Sequence, residues 1–407
     1  MAKQINVLNL SPRIPYPADD GGKIGIASSL AALRDAGFTS DFFFFTEDDS
    51  ELKYIPNILE DYKLGDSTKI IYLIHSLKNT PSRILKSIAT GKSIYLEKHF
   101  TGNIREFFKE LVKERKYDAI LCHHTSMAPI GLFIKSLTGI PATLRMHNIE
   151  HRIWTRYAEN LPFYSPKRAY VAFQGAALKK EEIEIWKRMD ANFPITLAEL
   201  NAARDLAPGA HFVHSLSGVD TDRWDLPKAE KNPHELLLAT TYRWPHNVDA
   251  LKWFLDEVLP IVHAAEPRVK VTLLGKNAPT WLENYRDLGV NPVGYVEDID
   301  PYFAKAAIYF APLFVGAGIR IKILEAMAAG LPVVATPVSA EGNFAKEEDG
   351  LLVAATAEAF AAKLIALLKD YNRVRTLGEA ARKYIVANHD TGRNMKIITD
   401  CLASLVR

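Results

Sequence analysis

The residues best suited to chemistry lie in one segment of the second half of the chain, where two cations and two glycines surround a predicted helix start. Arg320 and Lys322 fall at or near the first turn of that helix, which apolar residues at helical spacing predict. A helix N-terminus is already positive, so a cation there is unfavourable by roughly 0.3–1 kcal/mol. Gly316 and Gly318 precede the helix, and backbone N–H groups in such a loop can point at a phosphate. The pattern fits a pocket for an anion, and it also fits a solvated helix start.

A second group of candidates lies at predicted strand ends in the first half of the chain. Two apolar runs that predict strands each end in histidine, His123 after the first and His147 after the second. Open α/β sheets bind ligands at the carboxyl ends of their strands, which makes both histidines, and Glu150 close behind, candidate site residues. The alternative is a purely structural role. His147, Glu150 and His151 also spell a zinc-peptidase pattern, but that pattern needs one helix through all three groups, and the strand running into His147 argues against it.

The elements that must position these residues repeat in both halves. A strand-like run at 307–313 leads through a glycine loop and a helix to a short apolar run at 333–334, which is one βαβ unit. A buried strand at 5–10 leads to a proline-rich loop, then to Gly21, Gly22 and a helix. The glycines allow close approach of a phosphate or form a plain turn, and a dinucleotide fingerprint is absent. We expect an α/β protein with two Rossmann-like domains facing a central cleft.

Length and composition set the outer bounds. The chain has 407 residues, enough for two domains of about 200 residues that each bury a core. A net charge of +2 gives no global nucleic-acid footprint. Cys122 and Cys401 form neither a disulfide framework nor a metal spacing. No apolar run reaches about 18 residues, and the first residues lack a signal-peptide core. We therefore expect a cytoplasmic protein that binds no nucleic acid.

One segment, 78–116, is strongly basic. It carries ten cations against four acids, with aromatic residues interleaved. Such a face can lie on anionic lipid headgroups, which makes peripheral contact with the inner face of a membrane one interpretation. The alternative is a solvated helical surface whose aromatic residues point into the core.

The segment that follows the cations carries a resemblance. Leu324-Glu325-Ala326-Met327-Ala328 and Gly330-x-Pro332-Val333-Val334 resemble the signature of family-4 (group 1) retaining glycosyltransferases of the GT-B fold. That signature has two glutamates separated by seven residues. Glu325 takes the second position, whereas Ala317 stands where the first glutamate is expected, so the donor's sugar hydroxyls must find other partners.

The resemblance implies a residue set for a nucleotide-sugar donor. A protein contributes most to this transfer by aiming fixed positive charge at the diphosphate leaving group, and we assign that role to Arg320 and Lys322. Glu325 is expected to accept hydrogen bonds from the ribose hydroxyls, and His147 to face the reacting sugar. The other expected donor-binding residues lie in the glycine loops and around the base and diphosphate: Gly21, Gly22, Arg243, Lys276, Tyr295, Val296, Gly316 and Gly318.

The resemblance further implies transfer with retention of configuration, by front-side attack and without a covalent nucleophile, a cofactor or an essential metal. The expected partners are a UDP- or GDP-sugar donor and a glycan or lipid-linked acceptor. Two alternatives stay open. One is another GT-B sugar-nucleotide enzyme, such as an epimerase or a hydrolysing relative. The other is a non-catalytic sugar-nucleotide-binding protein, which only Ala317 favours.

The expected domain limits follow from the same resemblance. Ser217-Gly218-Val219-Asp220 resembles the Asn-Gly-Val-Asp segment at the family's domain crossover. We expect an acceptor domain at 1–217, a donor domain at 218–391, and a final helix at 392–407 that returns to the first domain.

Overall fold

The computed structural model describes residues 4–18, 21–227, 230–315 and 319–406, and the chain divides into two compact units. Unit 1 comprises Met1–Leu216 together with Gly392–Arg407, and unit 2 comprises Ser217–Thr391.

Within the described residues, unit 1 is built on a six-stranded parallel sheet of order β3-β2-β1-β4-β5-β6. The strands are β1 (Asn6–Ser11), β2 (Thr39–Thr46), β3 (Thr68–Ile74), β4 (Ala119–His123), β5 (Ala142–Met146) and β6 (Ala191–Pro194). The helices are α1 (Gly21–Asp35), α2 (Ile55–Asp61), α3 (Pro81–Thr90), α4 (Ile94–Glu97), α5 (Gly102–Glu114), α6 (Ala128–Thr138), α7 (Glu150–Glu159), α8 (Pro166–Arg188) and α9 (Leu197–Leu206). The inner strands are apolar along almost their whole length because both faces of a parallel sheet are covered.

The described part of unit 2 contains a second six-stranded parallel sheet, of order β12-β11-β10-β7-β8-β9. The strands are β7 (Glu235–Ala239), β8 (Lys270–Leu274), β9 (Val290–Gly294), β10 (Ile308–Ala311), β11 (Val333–Ala335) and β12 (Leu351–Val353). The helices are α10 (Pro245–Trp253), α11 (Leu259–Ala265), α12 (Asp300–Lys305), α13 (Ile321–Ala328), α14 (Pro337–Ala340), α15 (Ala357–Lys369) and α16 (Tyr371–Asn388), with a π-helical turn at Phe254–Val258 between α10 and α11. Within its core, Phe254 stacks on Phe310 with ring centroids 4.1 Å apart.

The last helix, α17 (Thr391–Val406), packs on the sheet of unit 1. Its residues Met395, Ile398 and Leu402 are buried against Val7 of β1 and Leu121 of β4. The final helix therefore completes the core of the unit that contains the start of the chain.

Both sheets have the doubly wound strand order. The direction in which successive strands are added to the sheet reverses between β1 and β4 in unit 1 and between β7 and β10 in unit 2. This confirms the predicted α/β class with two Rossmann-like domains. In such sheets the loops at the carboxyl ends of the two strands that flank the reversal form a crevice where ligands bind. The strand predicted at 307–313 is shorter than expected, because Pro312 has no N–H with which to continue the ladder after Ala311.

The aromatic residues of the basic segment 78–116 pack in the core of unit 1. Phe108 is fully buried there, and Tyr95, Phe100 and Phe107 pack against the same cluster. Core placement is therefore confirmed for these rings, whereas contact of the basic surface of 78–116 with a membrane stays a prediction. Throughout the described ranges, we find no helix with the length and apolarity that crossing a membrane requires.

Candidate active site

The start of α13 is the central feature of unit 2. Arg320 occupies the position before the helix with an extended backbone, and its carbonyl accepts the N–H groups of Ile323 at 2.9 Å and Leu324 at 3.3 Å. The first turn contains Lys322 and no acidic residue, so the predicted arrangement of cations at a helix start is confirmed. The other half of that prediction, Gly316 and Gly318, lies outside the described residues, as does position 317.

Lys322 forms an ion pair with Glu325, one turn further along the same helix. The Lys322 Nζ lies 2.7 Å from Glu325 Oε2, with the lysine side chain 48% exposed and the glutamate side chain 13% exposed. The carboxylate therefore holds the ammonium group at the helix start. Burial raises the pKa of the Tyr309 phenol, and the negative charge of the nearby Glu325 raises it further. Tyr309 stays protonated and donates to Ala239 O at 3.1 Å, which links β10 to the end of β7.

Two hydroxyl groups anchor the loop that leaves β10. Ser339 Oγ accepts the N–H of Leu313 at 2.9 Å, and Thr336 Oγ1 donates to the Leu313 carbonyl while capping α14. The loop that leads toward Arg320 is thus fixed at its first residues to the neighbouring strand end. Burial lowers the pKa of Arg320, whereas the charge of Glu341 opposes that shift.

The other donor-side candidates lie at the ends of β7, β8 and β9. Arg243 is exposed in the turn between β7 and α10, and Lys276 follows β8. The Lys276 Nζ lies 4.5 Å from the centre of the Tyr295 ring, which follows β9. Tyr295 is exposed, and Val296 is partly buried against the core of unit 2. The structure therefore brings Lys276 and Tyr295 into contact at the carboxyl edge of this sheet.

A glycine that sequence reasoning missed allows these strand ends to meet. Gly275 has a φ of +149°, and a Cβ at this position would lie 1.9 Å from the carbonyl oxygen of Thr240. Its N–H donates to Gly294 O at 2.7 Å. Only glycine tolerates both the backbone angle and the close approach. The loops after β7, β8 and β9 are therefore bonded together at one edge.

In unit 1, the strand-end histidines form a contact. The His123 Nδ1 lies 3.3 Å from His147 Nε2, and the His123 Nε2 lies 3.0 Å from Ser29 Oγ on α1. Burial lowers the pKa of both imidazoles well below the ordinary value, and neighbouring positive groups lower it further. Both rings are therefore neutral at pH 7, and each has one nitrogen that donates and one that accepts.

The first helix approaches these histidines closely. Gly21 and Gly22 form the first turn of α1 rather than a loop before it, and Gly25 is one turn further on. A Cβ at Gly25 would lie 3.1 Å from His147 Cε1, tighter than ordinary packing contacts. The glycine-rich start of α1 therefore lies about one helical turn, or ~6 Å of helix rise, from the contact with His147.

His124 carries a strained backbone beside this contact. Its φ of 63° with ψ of 147° lies in a region that is essentially restricted to glycine. Its ring stacks on His147 at 4.0 Å with an interplanar angle of 11°, and its Nδ1 faces Glu150 Oε1 at 3.7 Å. Such conformations cost about 1–3 kcal/mol and cluster at functional sites. The strained residue supports a functional interpretation of the histidine cluster.

Arg145, which sequence reasoning missed, places a buried cation next to the histidines. Its Nη1 contacts Met395 Sδ at 3.4 Å, and among the described residues its guanidinium has no carboxylate partner. Burial lowers the pKa of Arg145 to about 10, so the group remains charged at pH 7. Its charge helps to keep His123 and His147 neutral. A charged residue inside the apolar run 142–146 was the available signal.

Glu182 of α8, also missed, fixes the loops after β4 and β5. This fully buried carboxylate accepts hydrogen bonds from Thr125 Oγ1 at 3.0 Å, Glu150 N at 3.0 Å, His151 N at 3.2 Å and His151 Nδ1 at 2.7 Å. It therefore also satisfies the N–H groups at the start of α7. His147 precedes α7 and does not share a helix with His151, which argues against the zinc-peptidase interpretation. Within the described ranges, no three His, Cys, Asp or Glu side chains are grouped to hold a metal ion.

Glu199 supports the same loop from α9. Its Oε1 accepts a hydrogen bond from the N–H of Ile149 at 3.2 Å, and its Oε2 accepts one from the hydroxyl of Thr196 at 3.2 Å. Burial, together with the charges of Glu150 and Glu182, raises the pKa of Glu199 to about 7. The spacing Thr196-x-x-Glu199 is a capping-box pattern, which was the signal available in the sequence.

Comparison with known proteins agrees with this architecture. Residues 234–370, all in unit 2, match the family model described as "Glycosyl transferases group 1". An "Uncharacterized 44.6 kDa protein in cps region" of Klebsiella pneumoniae is 23% identical over 401 residues, which cover 95% of this chain and 96% of that protein. A "Phosphatidyl-myo-inositol mannosyltransferase" of Propionibacterium freudenreichii subsp. shermanii is 25% identical over 261 residues, covering 60% and 58% of the two chains.

Solved structures resemble the whole chain. Sucrose-phosphate synthase from Thermosynechococcus elongatus superposes with a TM-score of 0.68 at 17% identity, covering 99% of both chains. HepE of Anabaena in complex with UDP superposes with a TM-score of 0.65 at 13% identity, covering 99% of this chain and 100% of that one. These likenesses show the GT-B fold. Taken with the family match, they support a glycosyltransferase.

Proposed function

We propose that the protein is a family-4 retaining glycosyltransferase that moves a sugar from a UDP- or GDP-sugar to a glycan or lipid-linked acceptor. The observation that carries the proposal is the start of α13. There, Arg320 and Lys322 occupy a helix N-terminus without an acidic residue in the first turn, next to the point where the strand order of unit 2 reverses. Two cations and a positive helix end at a ligand-binding edge match a diphosphate.

The chemistry of transfer explains why this arrangement is useful. When the bond between the sugar and the diphosphate breaks, the leaving group gains negative charge. Arg320 and Lys322 supply fixed positive charge at that place, which is where a protein stabilises such a transition state most. In this proposal the two side chains take the part that a metal ion plays in other transferases. No essential metal or cofactor is therefore required.

Glu325 is proposed to bind the ribose of the donor. Its side chain is held in place by Lys322 and lies near the switch point between β7 and β10. A carboxylate acceptor for two neighbouring hydroxyl groups fits the position that the family signature gives it. Lys276, Tyr295, Val296 and Arg243, which line the same sheet edge, are proposed to hold the base and the diphosphate.

His147 is proposed to contact the reacting sugar. The ring is neutral, is oriented by His123 and His124, and lies close to the glycine-rich start of α1. A neutral imidazole can donate one hydrogen bond to the sugar without acting as a strong acid. This role agrees with front-side attack and retention of configuration.

A screen of nucleotides tests the proposal. Thermal unfolding of the full chain would be followed with UDP, GDP, ADP and CDP, each with and without EDTA, and slow donor hydrolysis would then be measured with sugars of the base that stabilises. We expect one of UDP or GDP to raise the melting temperature without added metal, and its sugar conjugates to be hydrolysed. If no nucleoside diphosphate stabilises the protein, or if EDTA abolishes the effect, the proposed donor site is wrong.

A further inference from the structure

Helix α3 has an inverted distribution of polar and apolar residues. Among its ten residues, all of which the structure describes, the buried one is Ser87. Leu85 and Ile88 are 67% and 52% exposed. An amphipathic helix on a water-facing surface normally buries its apolar stripe and exposes its polar one. Two apolar side chains of α3, Leu85 and Ile88, therefore face outward, whereas Ile84 is partly buried.

The loop between α7 and α8 is the second exposed apolar feature of unit 1. Phe163 is 85% exposed and Tyr164 is 77% exposed, and the two rings contact each other edge to face with centroids 5.3 Å apart. Arg168 Nη1 donates to Leu161 O at 3.2 Å, which ties the loop to the first turn of α8. Two adjacent aromatic side chains at this exposure contribute nothing to the core.

The two features are joined through α8. Gln174 of α8 is fully buried, and its Nε2 donates to Ser87 Oγ at 3.0 Å while its Oε1 accepts Ile94 N at 2.8 Å. Gln174 lies eight residues, or ~12 Å of helix rise, from the start of α8 at Pro166. Helix α3 and α8, which follows the α7–α8 loop, are therefore joined by a buried hydrogen bond, and we name their exposed residues together with those of the loop the α3–α8 surface.

The charge on this surface is predominantly positive. Residues 78–92 contain four cations and no acid, and residues 151–173 contain four cations and one acid, Glu159. The cations are Lys78, Arg83, Lys86, Lys92, Arg152, Arg156, Lys167 and Arg168. Lys86 of α3 forms an ion pair with Glu97 of α4, and on α5 Lys109 and Lys113 are each paired with a glutamate of the same helix. The basic character that the sequence assigns to 78–116 thus concentrates at its first part.

We propose that the α3–α8 surface docks onto an anionic lipid bilayer. Exposed aromatic and aliphatic side chains insert at the boundary between headgroups and acyl chains, and surrounding lysines and arginines attract anionic headgroups. Phe163 and Tyr164 suit this boundary, because tyrosine has an apolar ring and a polar tip. The contact uses Leu85, Ile88 and the α7–α8 loop rather than the aromatic residues of 78–116. This proposal does not depend on the proposed glycosyltransferase activity, because binding to vesicles is measured without a nucleotide sugar.

Vesicle flotation of the full chain tests the proposal. We expect binding to vesicles of phosphatidylcholine with 30 mol% phosphatidylglycerol, weaker binding as salt rises from ~50 to ~500 mM, and little binding to pure phosphatidylcholine. The variant Phe163→Ala/Tyr164→Ala is expected to lower the partition coefficient at least about 10-fold. Lys92→Ala/Lys167→Ala is expected to lower the partition coefficient about 30-fold, because each cation near an anionic surface contributes about 1 kcal/mol.

Matched controls distinguish binding through this surface from non-specific hydrophobic adsorption and from an effect of net charge. Leu137→Ala removes an exposed apolar residue of α6, and Lys109→Ala/Lys113→Ala removes two cations of α5. Both should bind as the unaltered chain does, with melting temperatures of all variants showing that they fold. Absence of binding to anionic vesicles, or equal effects of the control and test variants, would overturn the proposal. So would a dimer in sedimentation that Phe163→Ala/Tyr164→Ala dissociates, since a second copy would then be the occupant.

Discussion

Lys322 and Glu325 form an ion pair across one turn of α13, with 2.7 Å between the ammonium nitrogen and a carboxylate oxygen. The pair explains how a cation is kept at a helix start where the helix dipole disfavours it. It also means that Lys322, the residue proposed to bind the diphosphate, and Glu325, the residue proposed to bind the ribose, hold each other in position. A donor that binds both residues at once would replace an existing contact with two new ones, without reorganising the backbone.

Glu325→Ala is predicted to weaken nucleotide binding. Hydrogen bonds to a charged acceptor contribute about 1.5–3 kcal/mol, so we expect a loss of roughly 10- to 100-fold in affinity for the preferred nucleoside diphosphate. Calorimetric titration would measure it, with the 2′-deoxy nucleotide as the matched ligand. The unaltered chain should prefer the ribonucleotide, and Glu325→Ala should bind both alike. A ribose preference that survives the substitution would contradict the assignment.

Gly25→Ala is predicted to reduce turnover with little effect on nucleotide affinity. The added methyl group would press on His147 Cε1 at 3.1 Å, so the ring must shift away from its contact with His123. Gly102→Ala at the start of α5 is the matched control, because nothing lies within 4 Å of its added methyl group. Steady-state kinetics should show a lower kcat for Gly25→Ala only. If the two variants have the same kcat, the position of His147 is unimportant for transfer.

Glu182→Ala is predicted to destabilise unit 1. The substitution leaves the N–H groups of Glu150 and His151 and the hydroxyl of Thr125 without their buried acceptor, at about 1–3 kcal/mol for each unsatisfied group. Urea unfolding should show a loss of at least about 3 kcal/mol. Glu182→Gln keeps an acceptor oxygen and should lose less. Equal stability of Glu182→Ala and the unaltered chain would show that these bonds are not important.

Stability should depend on pH through Glu199, whose pKa of about 7 in the folded chain lies above its ordinary value of 4.5. The folded state therefore binds a proton that the unfolded state has released, so this contribution is present below pH 4.5 and is lost as pH rises through 7. Glu199→Gln is always neutral and keeps the acceptor for Ile149 N–H. Relative to the unaltered chain, it should gain about 2–3 kcal/mol between pH 5 and pH 8. His123 and His147 titrate in both proteins, so their effect cancels. Parallel stability curves for the two proteins would contradict the raised pKa.

Local patterns were sufficient to predict the architecture. Apolar runs predicted the strands, and their alternation with helical patterns predicted two parallel sheets. The cations at the start of α13 were visible because Arg320 and Lys322 precede an apolar helical repeat. Histidines at two strand ends were visible for the same reason, and the parallel sheet brings His123 and His147 together.

The supporting residues could not be predicted because they depend on contacts distant in sequence. Glu182 lies 31 residues after His151, in a helix that reads as an ordinary charged surface, and only the packing of α8 against α7 shows that it is buried. Gly275 is one glycine among 22 in the chain, and its role depends on Thr240, which directly follows the neighbouring strand β7. Ser87 is the buried residue of α3 because its hydroxyl accepts a hydrogen bond from Gln174 of α8, which is 87 residues away in sequence. Arg145 and Glu199 are exceptions, since a charge within an apolar strand and a capping-box spacing were both visible in the sequence.

The most direct test is donor turnover by Lys322→Ala, compared with the unaltered chain at saturating nucleotide sugar. Removing a group that stabilises developing charge typically lowers kcat by ~10²–10³-fold, and we expect a fall of this size with a much smaller change in nucleotide affinity. Turnover at the level of the unaltered chain would show that Lys322 does not stabilise the leaving diphosphate.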